Sequence, residues 1–151
     1  MDGEVHYRRT GGQLFVRSAG SRLLAAPVLR WEQSVQLSGG GREWFARDSA
    51  RIADPSVPLR VQHFGPIAGQ VVQWRSIPAL GFDAVIEAEQ TPTGDGLLDL
   101  VDRWGSVPIS PAWLGDAVRY STGVEWRRVS LTHLAICAAG ELPWCRLRRL
   151  S

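Results

Sequence analysis

The chain contains no lysine, so all 17 of its basic residues are arginine. That bias points to a GC-rich coding genome rather than to a special demand for bidentate guanidinium forks. It also lacks a strong charge of either sign. Seventeen basic residues against 15 acidic ones leave +2, too little to predict nucleic-acid binding when set against strongly basic DNA-binding domains. Cysteine is scarce. Cys137 and Cys145 are too few for a disulfide framework and lack the C-x-x-C spacing of a zinc site, so a reducing compartment and no metal or cofactor are expected. Long apolar runs are missing too. The longest, Leu134 to Ala139, falls far short of the roughly 18 residues that span a bilayer, and the amino terminus lacks a signal-peptide core. The expectation is a cytoplasmic protein with no membrane contact. At 151 residues, 44% hydrophobic and 21% charged, the chain is sized for one packed domain.

What the sequence does have is a series of short strand-like segments punctuated by glycine and proline, the pattern of a β-rich barrel or sandwich. Strands are expected at Gln13 to Arg17, Arg22 to Leu29, Leu59 to His63, Gln70 to Trp74, Phe82 to Ala88, Glu125 to Leu131 and His133 to Ala138. In Phe82 to Ala88, the residues Phe82, Ala84, Ile86 and Ala88 share one face while Asp83 and Glu87 take the other, the period of a half-buried strand. Helical periodicity is confined to Gly96 to Trp104, with Asp95 as its expected cap and the segment from Pro92 as a preceding turn, and more weakly to Glu43 to Ile52. Most of the seven tryptophans sit in apolar runs, where core packing is their commoner role, and the Arg-rich stretch Arg146 to Arg149 reads as a solvated tail.

Three histidines occur. His6 lies near the terminus and reads as structural. His63 ends an alternating strand before Phe64-Gly65-Pro66, a place where an exposed imidazole can act as a general base. His133 shares a strand face with Ala135 and Cys137, small neighbours that leave its ring accessible to orient a second imidazole. For the nucleophile, Ser110 stands in Gly105-Ser106-Val107-Pro108-Ile109-Ser110-Pro111, where the flanking prolines hold a small hydroxyl in a stiffened loop. Ser106 competes with it. No G-x-S-x-G elbow is present, and Cys137 reads as a buried, inert thiol.

These residues carry a resemblance. Val57-Pro58-Leu59-Arg60-Val61-Gln62-His63, followed by Gly69-Gln70-Val71, resembles the herpesvirus assemblin strand that ends in the catalytic histidine. His133-Leu134-Ala135-Ile136-Cys137-Ala138-Ala139-Gly140 is similar to the assemblin stretch that opens on its third triad member. The order Glu43-Trp44-Phe45, His63, Gly96 to Trp104, Ser110, Val129-Ser130-Leu131 further resembles the tailed-phage prohead proteases, from about Leu23 onwards. A span of 47 residues from His63 to Ser110 and of 23 from Ser110 to His133 makes a compact version.

The resemblance implies one prohead-protease-like domain over 1–151, with 1–20 a loosely ordered segment, folded as a single mainly β (α+β) barrel with flanking short helices. It implies a capsid-maturation serine endopeptidase in which Ser110 is the nucleophile, His63 the base and His133 the orienting group. Capsid and scaffold proteins would be its substrates, inside the procapsid in the host cytoplasm, and a homodimer or higher assembly its active form. The backbone of Gly140, Glu141 and Leu142 is the expected oxyanion hole, although assemblins carry an arginine pair where this chain has Glu141-Leu142. Prohead proteases tend to place an acidic residue just before Val-Ser-Leu. This chain has Arg128 there, so Glu125 is the substitute third member. The alternatives are a catalytically inactive relative acting as a capsid assembly or scaffold protein and, behind it, a nucleic-acid-binding barrel.

Overall fold

A computed structural model describes residues 21–37, 40–50, 56–138 and 142–150. The expected strand Gln13 to Arg17, His6, the 1–20 segment, Gly140 and Glu141 lie outside them. The described chain is mainly β, with strands β1 (Leu23–Arg30), β2 (Val35–Gln36), β3 (Arg42–Phe45), β4 (Pro58–Val61), β5 (Ile67–Ile77), β6 (Gly81–Ala88), β7 (Val107–Tyr120), β8 (Gly123–Ile136) and β9 (Arg146–Arg149), and one helix, α1 (Pro92–Trp104).

Seven of these strands form a closed ring in the order β8, β4, β5, β6, β1, β9, β7, sealed by the β7–β8 pairing. Closure removes the free edges that an open sheet of this size would present. β2 and β3 hang from the remaining half of β8, where Glu43, Trp44 and Phe45 run parallel to Val124, Glu125 and Trp126. The barrel interior is filled by Leu24, Val28, Leu59, Ile86, Ile109, Leu134 and Leu147, and Leu97, Leu98 and Val101 of α1 join the same core.

Several elements differ from their expected form. Glu43 to Ala50 is not helical: β3 occupies 42–45, and Ala50 bridges to Val129. The reason is reciprocal pairing, with Trp44 Nε1 donating to Glu125 at 3.0 Å and Trp126 Nε1 donating to Glu43 at 3.1 Å. These cross-strand bonds give β3 and β8 a partner that an isolated helix would lack. The two segments expected at Glu125 to Leu131 and His133 to Ala138 are one strand, β8. The helix starts earlier than its apolar period suggests, because Thr91 rather than Asp95 is the cap. Its Oγ1 accepts from Gly94 N at 3.2 Å, and Pro92 fills the first position, where a missing N–H costs nothing. Asp95 lies in the first turn and pairs with Arg22 at 2.7 Å. Gly105 then ends the helix with φ +81°, a conformation that suits glycine.

The expected solvated tail is β9. Leu147 is fully buried, Arg149 grips the Asp102 carboxylate with both Nε and Nη2, and the strand pairs with β1 on one side and β7 on the other. The stiffened loop around Ser110 is likewise strand β7. Pro108 gives up its donor, yet its carbonyl still accepts from Cys137 N at 3.1 Å.

Candidate active site

β8 lies between β4 and β7, and register decides which side chains share its outer face. Leu59, Arg60 and Val61 of β4 align with Leu134, Ala135 and Ile136, while Ile109, Ser110, Pro111 and Ala112 of β7 align with Ile136, Ala135, Leu134 and His133. Leu59, Leu134, Ile109 and Pro111 are buried toward the core. The alternate set therefore faces away from that core: Arg60, Ser110 and the fully covered Ala135 in one row, His133 and Ala112 in the next.

A bulge sets that face. Trp113 pairs with Leu131 and Ala112 with His133, so Thr132 is an extra residue on β8. In a regular strand Leu131 and His133 would face the same way. With Thr132 inserted, Leu131 packs on the core while His133 joins Ser110 outside.

His63 reaches the same place from a tight turn. Gln62 N donates to Ile136 O at 3.0 Å, extending the β4–β8 ladder by one residue, and Gln62 adopts a left-handed φ of +57° that swings the chain out of the sheet. Val61 N donates to Pro66 O at 2.9 Å and Arg60 Nη1 to Gly65 O at 3.1 Å, which ties the far side of the turn. Gly65 is required there, since a Cβ would lie 1.8 Å from Val61 O.

The outcome is a direct bond between the two imidazoles. His63 Nδ1 and His133 Nε2 are 2.9 Å apart, with the rings near perpendicular at 71°. His63 Nε2 is left for another partner. Ser110 is diagonal to His133 across β7 and β8, a relation that puts two residues about 7–8 Å apart and their Cβ atoms somewhat closer. Among the described residues no hydrogen bond joins Ser110 to either ring; such contacts are often long before substrate binds. Burial first, then His63 and the Arg60 guanidinium, hold the His133 imidazole below its ordinary value, so it favours the neutral form an acceptor needs.

The remaining candidates fall elsewhere. Glu125 lies eight residues from His133 along β8, about 26 Å at the rise of an extended strand. It accepts from Arg127 and Trp44, which in that order hold its carboxyl below the usual range. It does not meet His63 and is not its orienting group. Ser106 Oγ accepts from Arg146 Nε at 2.8 Å, four residues from Ser110. Burial raises the Cys137 thiol, and Cys145, buried in the core, is pushed up to about 12, so both remain protonated. Leu142, the one described member of the expected oxyanion segment, has a buried side chain and a carbonyl that accepts from Cys145 N at 3.1 Å.

Two features of the site were not anticipated from sequence. Thr132 Oγ1 lies 3.2 Å from His133 Nδ1 and 3.2 Å from Ala112 O. A mostly apolar hollow of about 260 Å³, lined by Leu100, Trp104, Pro108, Ile136, Cys137 and Arg146 among others, opens two residues along β7 from Ser110 and two along β8 from Ala135. No protein-family model, curated protein or solved structure matches the chain.

Proposed function

We propose that the protein is a serine endopeptidase of the capsid-maturation class, acting through Ser110, His63 and His133. The 2.9 Å bond from His63 Nδ1 to His133 Nε2 carries this reading, because it anchors one nitrogen of the base and leaves the other for a nucleophile. Ser110 would attack the scissile carbonyl, forming the acyl bond, while His63 Nε2 takes the hydroxyl proton. The same proton then goes to the leaving amine, and a water repeats the sequence to release the acid. His133 holds the His63 ring in place. A neutral imidazole stabilises the resulting imidazolium less than a carboxylate does, so slow turnover follows, tolerable where substrate is concentrated inside a procapsid.

Capsid or scaffold proteins are the proposed substrates and a homodimer or higher assembly the proposed active form, with backbone N–H groups of 140–142 serving the oxyanion. The hollow beside Pro108 and Cys137 suits an apolar substrate side chain near the scissile bond. Coexpression with the presumed scaffold or capsid protein, followed by intact-mass measurement of both chains, tests the reading. Ser110→Ala should abolish cleavage with the fold intact, His63→Ala should be nearly as severe, and His133→Ala milder. If the wild-type chain never processes its partner, the inactive scaffold relative replaces the protease.

A further inference from the structure

A neutral imidazole carries one N–H, and which nitrogen bears it decides whether His63 can act as a base at all. The bond between the rings requires that one nitrogen donate and the other accept, and it does not by itself say which. The hydroxyl at the other end of the chain of contacts does. Ala112 O can only accept, so its 3.2 Å hydrogen bond with Thr132 Oγ1 uses the single hydroxyl proton. Thr132 Oγ1 then has lone pairs but no proton to offer His133 Nδ1, also at 3.2 Å, and that nitrogen must be the N–H. His133 Nε2 is consequently bare and accepts from His63 Nδ1–H at 2.9 Å. His63 Nε2 ends the chain with a free lone pair.

We propose that Thr132 is a positioning residue that fixes the tautomers of both imidazoles, so that His63 presents an unprotonated Nε2 toward Ser110. The bulge supplies it. As the extra residue of β8, Thr132 sits beside the Ala112 carbonyl of β7 and next to the ring it addresses. It touches neither the nucleophile nor the base. Its catalytic consequence rests on the protease reading; the tautomers themselves do not.

The test is the ¹⁵N spectrum of the two imidazoles at about pH 8.5, above the ordinary histidine value. The wild-type protein should show the proton on Nδ1 of both His63 and His133. In Thr132→Val, which keeps the branched shape without the hydroxyl, His133 should lose its exclusive Nδ1–H form, and Thr132→Ser should restore it. Cleavage should follow the same order, with kcat lower by at least about tenfold in Thr132→Val at unchanged KM and recovered in Thr132→Ser. A wild-type spectrum with the proton on His133 Nε2 overturns the proposal without any variant, as does a Thr132→Val spectrum identical to wild type. Wild-type spectra of the expected form in a protein that cleaves nothing would support the assigned tautomers and count against the protease reading alone.

Discussion

At the scale of single residues, the proposed mechanism turns on protons held at named atoms. His133 has its imidazole held below the ordinary value by burial, by His63 and by Arg60. Protonating it would remove the acceptor that His63 Nδ1 needs. Cleavage is therefore expected to be sustained at neutral pH and lost as pH falls through the folded-state His133 value, which lies below the ordinary histidine value of about 6.5. Stability has the same sign: the folded value lies below the unfolded one, so the contribution is fully present above the unfolded value and disappears as pH falls. Arg60→Gln removes one of the cations that disfavour the imidazolium, so the acid limb of a kcat/KM profile should move to higher pH. A limb that stays in place would show that Arg60 does not act on His133. Cys137→Ala and Ser106→Ala should each keep most activity in the intact-mass assay, since the first loses a protonated thiol and the second a hydroxyl already occupied by Arg146.

Elements place those atoms. The turn from Gln62 to Gly65 is the sharpest case, because an added Cβ at Gly65 would meet a backbone oxygen rather than a yielding side chain. Gly65→Ala is expected to displace His63 from His133 and to lower kcat more than it lowers the melting temperature, measured on one sample by cleavage and circular dichroism. Thr91→Ala does the reverse: loss of the α1 cap should cost about 1 kcal/mol in denaturant unfolding with little effect on cleavage. Legibility in the sequence followed the same division. The β6 alternation and the existence of α1 are local, and both are visible in the order of residues. So are the strand that leads toward His63, although β4 stops at Val61 and His63 follows in a turn, and the placing of His133 on a strand. Ser110 on a strand was not, because Pro108 and Pro111 carry turn signals that only pairing with β8 and β9 overrides. The strand at Glu43 stayed hidden because its Trp–Glu partners lie more than 80 positions away. Thr132 was missed since a bulge has no local signature: it exists only in the count of β8 residues against β7.

For the whole molecule, closure of the ring is the governing fact. Leu147 is fully buried at the seam between β1 and β7, and Leu147→Ala is expected to cost about 2–5 kcal/mol, read as a shift in the urea midpoint. The same wall of β7, β8 and β4, with the turn that follows β4, holds Ser110, His133 and His63, so that variant should lose activity and stability together on warming. A sedimentation profile that stays monomeric at full specific activity would count against the proposed assembly. The position of β9 also bears on how the molecule is made. Leu24 pairs with Arg149, 125 positions later, and β9 leaves the ribosome after every other described strand. Until then β1 and β7 each have an unpaired border, and the nascent chain carries the three proposed catalytic residues on or beside a wall still open at one side. Arresting translation just before Arg146 should leave a chain that an added protease digests readily, and releasing the arrest should convert it to a resistant one.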